Sequence, residues 1–318
     1  MVKVWDVHIP DKLESPVLVF DIGGSHVSAA VCLDMGFQLG PVFKGEHPSA
    51  QTSEAFIGLL HTLGMQAAEG VPPVAGATLA MPCPFDFETG ICLMRHKLPY
   101  LYGVNLRNAL AGLFGWEPAQ VQFLNDADAY LLGEVGAGAA RGFGRVVAIT
   151  LGTGTGSAFA LEGRLLTDGP GVPLGGEIWD LPYEGGIVED FLSSRAIAGG
   201  YQKRTGNATT VSALAETALA DPAAQETFAE FGRHLGRVLN TKLAEFSPDV
   251  VVLGGGISRA AHLFLPVALE QLSGPSPQLR VSELQDLAPL VGCGVARILS
   301  MNGSASPVGA GPAHSSPA

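Results

Sequence analysis

The sequence contains few cysteines and few charged residues, and each scarcity excludes a class of protein. Its 318 residues include four cysteines, Cys32, Cys83, Cys92 and Cys293, and no two of them form a CxxC pair. Their spacing therefore predicts neither a disulfide framework nor a zinc cluster. Only 15% of the residues are charged and 47% are hydrophobic, which excludes intrinsic disorder for most of the chain.

Basic residues are fewer than acidic ones. There are 18 Lys and Arg against 30 Asp and Glu, so the formal net charge is −12 at pH 7, and no block of basic residues occurs. Duplex nucleic acid and anionic membranes attract proteins through such blocks, so we expect neither as a partner. The chain has no uncharged apolar run of about 18 residues, which a membrane helix needs, and its first residues carry charges where a signal peptide has an apolar core. We therefore expect a cytoplasmic protein.

Glycine, in contrast, is abundant, with 42 residues, and three clusters of it are informative. DIGGS (residues 21–25) and LGTGTGS (residues 151–157) each lie between two apolar segments, a pattern typical of a strand, a tight turn and a second strand. Because this arrangement occurs twice, the sequence predicts two lobes of related build. The third cluster, VVLGGGIS (residues 251–258), combines a short buried strand with a glycine turn.

The spacing of apolar residues predicts the helices. Apolar residues recur at intervals of three and four over residues 53–69 and along a stripe that ends at Phe246. Shorter helices are expected over residues 105–114 and 289–299. A buried strand that begins at Val121 runs into a further helix.

Two polar residues, Asn125 and Asp126, lie where the strand over residues 121–124 meets its helix. The last residues, 301–318, are small and proline-rich without periodicity, which predicts a disordered tail.

Glycine turns are compatible with anion binding as well as with hairpin geometry. A turn whose backbone N–H groups point outward can bind phosphate oxygens, and glycine permits close approach because it lacks a Cβ. One such turn is more often only a hairpin, but three in one chain favour phosphate binding between two lobes. The GxxxxGK[ST] loop and a GxGxxG between strand and helix are absent, so neither a P-loop nor a dinucleotide fold is expected.

Seven motifs occur in an order that resembles a known family. They are DIGGS, AMPCPFD, FLNDADAYLLGE, TLGTGTGSAF, GGEIWD, VEDFLSS and VVLGGGIS, and they cover the chain from residue 17 to about residue 300. This series is similar to the ROK family (repressors, open reading frames and sugar kinases) of the actin-like ATPase superfamily. The resemblance implies a two-lobed α/β, ribonuclease H-like fold with nucleotide and sugar in the interlobe cleft, and usually a homodimer. It assigns residues 1–123 and a closing helix over residues 288–300 to the N-terminal lobe, and residues 124–287 to the C-terminal lobe.

The resemblance also implies roles for individual residues. Asp126 matches the family's catalytic aspartate, and Asp21 would lie near the Mg²⁺-nucleotide. The residues expected to bind the sugar are Asn105, Asn125, Glu177, Asp180 and Glu189. The residues expected around ATP are Gly23, Gly24, Ser25, Gly152, Thr153, Gly154, Gly254, Gly255 and Gly256.

The chemistry of Asp126 agrees with this role. A sugar hydroxyl is a weak nucleophile, so phosphoryl transfer requires a carboxylate within about 3 Å that accepts its proton. Without the other motifs, the first interpretation of Asp126 is a helix N-cap, because Asp and Asn are preferred there. The accompanying motifs favour the catalytic interpretation.

One departure from the family concerns the motif that binds sugar and zinc. Many ROK proteins carry GEIGH followed by a zinc loop of pattern CxCGxxGCxE, whereas this chain reads GGEIWDLPYEGGIVEDFLSS. Asp180 replaces the histidine and the three zinc cysteines are missing, so no structural zinc is expected. An ionised aspartate only accepts hydrogen bonds, which would alter the choice of sugar. Trp179 and Tyr183 either stack on a sugar face or fill the space left by the missing loop.

The sequence thus predicts ATP-dependent phosphorylation of a sugar hydroxyl, as in glucokinase-like enzymes, with sugar, ATP and Mg²⁺ bound. The alternative is a sugar-binding sensor or regulator that has lost catalysis. A transcriptional repressor of the family is disfavoured, because the first predicted strand begins at Val17 and leaves too few residues before it for a helix-turn-helix. The identity of the sugar, the hydroxyl that is phosphorylated and the donor, ATP or polyphosphate, are left open.

Overall fold

The computed structural model describes residues 16–34, 37–274 and 276–301. The strands in these ranges are β1 (Val17–Ile22), β2 (His26–Cys32), β3 (Phe43–Glu46), β4 (Ala77–Met81), β5 (Phe85–Asp86), β6 (Ile91–Cys92), β7 (Val121–Asn125), β8 (Arg145–Leu151), β9 (Thr155–Leu161), β10 (Arg164–Leu166), β11 (Pro182–Tyr183), β12 (Gly186–Ile187), β13 (Val250–Gly254) and β14 (Gln278–Val281). The α-helices are α1 (Ser53–Ala67), α2 (Leu106–Phe114), α3 (Asp126–Ala137), α4 (Ser194–Thr205), α5 (Val211–Thr217), α6 (Pro222–Lys242), α7 (Ala261–Glu270) and α8 (Ala288–Met301). Apart from Met301, the predicted tail lies outside the described residues.

The chain divides into two units. Unit 1 consists of the residues up to Arg141 together with those from Leu287 onward, and unit 2 consists of Gly142–Asp286. The division falls later than the predicted one after residue 123, because α3 packs along α8 and both helices belong to unit 1.

Unit 1 is built on a sheet of five strands in the order β3-β2-β1-β4-β7. The first three strands are antiparallel neighbours, and β4 and β7 are added in parallel. The central strands are short and almost wholly buried, which is typical of parallel strands that are covered on both faces. Phe20 and Phe56 lie fully buried in the apolar core of this unit.

Unit 2 repeats this topology. Its main sheet has the order β10-β9-β8-β13-β14, again with three antiparallel neighbours followed by two parallel strands. The predicted relation between the two glycine-turn segments is therefore confirmed by the strand order and directions. A separate core surrounds Phe159 and Phe228.

The helices follow the predicted apolar spacing. In α6 the buried residues include Phe228, Phe231, Leu235 and Leu239, which recur at three- and four-residue intervals and bury one face of the helix. Removing this apolar face from water contributes roughly 25 cal/mol per Å² to folding. The five predicted helices are thus confirmed, with ends that differ by a few residues from the predicted ones.

Small residues allow α3 and α8 to approach closely. A Cβ placed on Gly292 of α8 would lie 1.7 Å from the carbonyl oxygen of Ala129 in α3, and one on Gly133 would lie 2.1 Å from that of Ala288. Backbone therefore packs directly on backbone, which holds the chain that carries Asp126 against the last helix of unit 1.

All four cysteines are free thiols. Burial raises the pKa of the Cys32 thiol to about 11. Among the described residues, no helix is both long and apolar enough to cross a membrane.

We predict that Gly292→Ala lowers the stability of the protein by about 1–3 kcal/mol, because the added methyl group separates α3 from α8. The measurement is the thermal unfolding midpoint of the purified protein.

The matched control is Gly112→Ala in α2, where an added Cβ meets no atom within 4 Å. Alanine is the better helix former, so this variant should be as stable as the unchanged protein or more stable by up to about 1 kcal/mol. Equal midpoints for the two variants would contradict the close packing.

Candidate functional site

The predicted residues of unit 1 other than Asn105 lie at one edge of its sheet. Strands β1, β4 and β7 are parallel, with Asp21 opposite Ala80 and Met81 opposite Asn125. The first glycine turn, Cys83 and the start of α3 therefore follow the carboxyl ends of neighbouring strands. This edge is where open α/β sheets bind their ligands.

The first glycine turn joins β1 to β2 and is open to solvent. The N–H of Gly23 donates to the carbonyl of His26 (2.9 Å), and the N–H of His47 donates to the carbonyl of Ser25 (3.0 Å). Gly24, Ser25 and His26 are exposed. The turn is thus held from the inside while its outer surface is accessible to an anion.

Asn125, rather than Asp126, is the N-cap of α3. Its side-chain oxygen accepts from the N–H groups of Ala127 (2.8 Å) and Asp128 (3.3 Å), and its Nδ2 donates to Sγ of Cys83 (3.2 Å). Because the oxygen is occupied by the helix, the amide of Asn125 presents its remaining N–H to a ligand.

Asp126 is the first residue of α3, and its carboxylate is not consumed by capping the helix. Its Oδ1 accepts from the N–H of Ala127 (2.9 Å), and the residue retains partial exposure to solvent. Desolvation by the surrounding protein penalises the charged form and so raises the pKa of this carboxyl above its usual range. The positive charge of Lys97 opposes this shift. A carboxylate with a raised pKa is suited to accept a proton.

Two other polar residues of unit 1 have structural roles. Asn105 caps α2 by accepting from the N–H of Asn108 (2.9 Å), and it donates to the carbonyl of Thr89 (3.2 Å). Asp86 closes the turn between β5 and β6 by accepting from the N–H groups of Glu88 and Thr89, which lowers its pKa.

The second glycine turn, in unit 2, joins β8 to β9. The N–H of Gly152 donates to the carbonyl of Gly154 (3.0 Å). The carbonyl of Gly152 accepts from both the N–H (2.8 Å) and the hydroxyl (2.9 Å) of Ser194, the first residue of α4. Thr153, at the tip of the turn, is exposed.

The third glycine turn lies beside the second. Strand β13 is parallel to β8, with Gly254 opposite Thr150, so both turns follow carboxyl ends of adjacent strands. Gly255 has a φ of 77° and a Cβ there would lie 2.4 Å from the carbonyl oxygen of Leu151, so only glycine fits. Gly256 begins a short 3-10 helix. The structure thus brings the two predicted nucleotide motifs of unit 2 together.

The predicted glutamates of unit 2 are held by hydrogen bonds. Oε2 of Glu189 accepts from the N–H of Thr155 (3.0 Å), next to the second glycine turn. Oε2 of Glu177 accepts from the indole Nε1–H of Trp179 (2.8 Å). Asp180 is exposed in the turn that follows.

Strand β9 supplies two residues that the sequence did not single out. Thr155 and Ser157 are two positions apart, so they lie on the same face of the strand. The hydroxyl of Ser157 donates to the carbonyl of Gly176 (2.7 Å) and accepts from the N–H of Ile178 (3.0 Å), one bond on each side of Glu177. Alternate polar residues in a buried strand are the sequence signal for this role.

The carboxylates of the site match the needs of nucleotide-bound Mg²⁺ rather than those of a metal held by protein alone. No group of three or more His, Cys, Asp or Glu side chains able to hold a metal occurs in residues 16–34, 37–274 and 276–301. Mg²⁺ bound to a nucleotide keeps waters and phosphate oxygens and takes only one or two protein carboxylates. Asp21, partly exposed at the end of β1 beside the first glycine turn, fits this requirement.

We predict that Ser157→Ala destabilises the protein by about 1–3 kcal/mol, because the buried carbonyl of Gly176 and N–H of Ile178 both lose their partner. The thermal unfolding midpoint is the readout. Ser212→Ala, an exposed serine of α5, serves as the control and should change the stability by less than about 0.5 kcal/mol. A Ser157→Ala protein as stable as this control would refute the role of the serine.

Comparisons with known proteins identify the family of the chain. The model of the ROK family matches residues 17–294. A glucokinase from Thermotoga maritima is 30% identical over 270 residues, covering 76% of this chain and 82% of that protein. The N-acetylgalactosamine kinase AgaK of Shewanella sp. is 30% identical over 284 residues, covering 79% of this chain and 89% of that protein.

Two further similar proteins are a transcriptional repressor and a hexokinase of known structure. The DNA-binding transcriptional repressor Mlc of Escherichia coli is 26% identical over 213 residues, which are 61% of this chain and 52% of the repressor. The crystal structure of a ROK hexokinase from Thermus thermophilus superposes with a TM-score of 0.75 at 26% identity, covering 91% of this chain and 99% of the hexokinase. The predicted two-lobed, actin-like α/β fold class is therefore confirmed. Together, the family match across both units and the likeness of fold show that the chain belongs to the ROK family.

Proposed function

We propose that this protein is an ATP-dependent sugar kinase in which Asp126 is the general base. One observation carries the proposal: the edge of the unit 1 sheet that bears an open glycine turn also bears a carboxylate that is not used as a helix cap. Phosphoryl transfer to an alcohol requires both of these, a phosphate-binding turn and a proton acceptor.

The reaction follows from the position and state of Asp126. Its ionised carboxylate accepts the proton of a sugar hydroxyl while the hydroxyl oxygen attacks the γ-phosphorus of ATP. A new O–P bond forms, the bond from the γ-phosphorus to the bridging oxygen breaks, and ADP leaves. The raised pKa strengthens Asp126 as a base at neutral pH.

The sugar is proposed to bind to residues that differ in hydrogen-bonding character. Asn125 offers an N–H, because its oxygen caps α3, and Asn105 is fixed in the same way at α2. Glu177, Asp180 and Glu189 offer oxygens, so they accept from sugar hydroxyls. Donors and acceptors of fixed direction select among sugars that differ at one carbon.

The nucleotide is proposed to bind to the glycine turns. Gly23, Gly24 and Ser25 of the first turn and the second and third turns, Gly152–Gly154 and Gly254–Gly256, offer backbone N–H groups without side-chain bulk. Mg²⁺, when bound, neutralises phosphate charge, and Asp21 is the residue that would hold it.

A second candidate function is sugar binding without catalysis, which the similarity to the repressor Mlc favours. The two functions differ in turnover, so the first experiment is an ADP-release screen with Mg-ATP against hexoses, N-acetylhexosamines and inositols. Sugar-dependent ADP release supports the kinase. Calorimetric sugar binding without turnover, in assays with both ATP and polyphosphate, supports the binding protein. The homodimer and the cytoplasmic location stay predictions.

We predict that Asp126→Asn lowers kcat for the sugar found in that screen by about 10²–10⁴-fold, because the amide keeps the shape of the side chain but accepts no proton. Steady-state kinetics measure the loss. The control is Glu216→Gln, which removes an exposed carboxylate of α5 and should leave kcat unchanged. A kcat for Asp126→Asn within about threefold of the control would show that another group is the base.

We also predict an acidic limb in the pH profile of kcat/KM that lies above the ordinary pKa range of aspartate. The base acts in its ionised form, so kcat/KM falls as the pH drops through the raised pKa of Asp126. Lys97→Met removes the positive charge that opposes this shift, so the limb should move to still higher pH.

The control for this profile is Lys203→Met, an exposed lysine of the last turn of α4 in unit 2, which should leave the limb in place. An unchanged limb in Lys97→Met would exclude Lys97 as a charge that acts on the base.

A further inference from the structure

Trp179 makes hydrogen bonds to both glutamates that are proposed to bind the sugar. Its indole Nε1–H donates to Oε2 of Glu177 (2.8 Å). Its backbone carbonyl accepts from the N–H of Glu189 (2.9 Å). The first of these bonds depends on the tryptophan side chain, whereas the second does not.

The indole hydrogen bond fixes the side-chain carboxylate of Glu177, which the backbone hydrogen bonds beside this residue do not hold. Ser157 already holds the backbone on both sides of Glu177 through its bonds to Gly176 and Ile178. In the described part of the chain, the indole is the only hydrogen-bond partner of the Glu177 carboxylate. An N–H to an ionised carboxylate is among the stronger hydrogen bonds of proteins. It therefore selects one arrangement of a long, flexible side chain.

Occupation of Oε2 also decides which oxygen is available. With the indole on Oε2, Oε1 is the oxygen of Glu177 that keeps both of its acceptor sites for a ligand. A carboxylate that is ordered before the ligand arrives loses less side-chain entropy on binding, so the ligand binds more tightly.

The environment of Trp179 agrees with a polar role. The side chain is only half-buried, and it has no ring-to-ring contact with the other aromatic residues described. By contrast, Trp116 in unit 1 stacks on Phe114 with ring centroids 4.5 Å apart. The contact of Trp179 that the described aromatic pairs do not account for is thus the polar one, from its indole N–H to Glu177.

We propose that Trp179 is a positioning residue that orients Glu177 so that Oε1 accepts a hydrogen bond from the sugar. This inference rests on the proposed function, in which Glu177 binds the sugar. It makes the side chain at position 179 a determinant of sugar affinity without direct participation in phosphoryl transfer.

The test is a double-mutant cycle with Trp179→Phe and Glu177→Ala. Phenylalanine keeps an aromatic ring and removes the N–H, and the backbone bond to Glu189 is unaffected. KM and kcat are measured with Mg-ATP and with glucose or N-acetylgalactosamine, whichever sugar the unchanged protein phosphorylates at the lower KM.

The expected result is a rise in the sugar KM of about 3- to 30-fold for Trp179→Phe, with the KM for Mg-ATP and kcat within about twofold. In the Glu177→Ala background, the same substitution should change the sugar KM by less than about twofold, because the group it orients is gone. An equal rise in both backgrounds, or no rise in either, overturns the proposal. Where turnover is too slow, calorimetric Kd values for the sugar replace KM.

In a second cycle, with Glu177→Gln, the effect of Trp179→Phe on the sugar KM should have the opposite sign. The indole N–H pairs with the amide oxygen of the glutamine, so the NH₂ group is turned to the sugar in place of an acceptor. Trp179→Phe frees the amide to rotate and should lower the sugar KM of Glu177→Gln, although it raises the KM of the unchanged protein. A merely structural role of Trp179 would raise the KM in both cases, which would overturn the proposal.

Two controls separate the possible failures. Trp116→Phe should change neither KM, and thermal unfolding shows whether each variant is folded. If the unchanged protein neither phosphorylates nor binds any sugar, the proposed function is wrong and the inference falls with it. If the unchanged protein is active and Trp179→Phe does not differ from it, only the inference is wrong.

Discussion

Parallel strand pairing is the constraint on which the arrangement of the candidate residues within each unit depends. Neighbouring parallel strands end at the same edge of a sheet, so each chain reversal after β1, β4 and β7 is brought to one place in unit 1. The pairing of β8 with β13 does the same for the second and third glycine turns. Residues far apart in sequence thereby become neighbours, as the hydrogen bond from Asn125 to Cys83 shows.

Hydrogen bonds fix the direction of three side chains that are proposed to bind the sugar. Asn125 is turned by its helix cap, Glu189 by the N–H of Thr155, and Glu177 by the indole of Trp179. Such fixed groups bind a ligand without reorganisation, which favours specificity. Asp126 differs from these three residues, because desolvation by the surrounding protein raises the pKa of its carboxyl group. The ionised carboxylate is therefore a stronger base.

Much of this arrangement could be predicted from the sequence. The strand, glycine turn and strand pattern predicted the hairpins β1–β2 and β8–β9, since glycine turns between apolar runs have few other solutions. The junction of β7 and α3 was also predicted, but Asn125 and Asp126 are both good caps, and propensity alone did not separate them. The backbone of the junction decided that Asn125 is the cap. The role of Ser157 was not predicted, because its partners Gly176 and Ile178 lie on another segment. The bond from Trp179 to Glu177 was not predicted, because it depends on the backbone conformation between two residues that are close in sequence.

The sequence by itself determined the fold class, the repeated hairpin and the family, because these depend on local periodicity and on motifs that are contiguous in the chain. Only the tertiary structure decided that α3 belongs with α8 in unit 1, that Gly255 packs on Leu151, and that β9 holds Glu177 and Glu189. The physical reason is that a hydrogen bond or a close contact depends on distances in space. Residues that are remote in sequence reach those distances only when the sheets have formed.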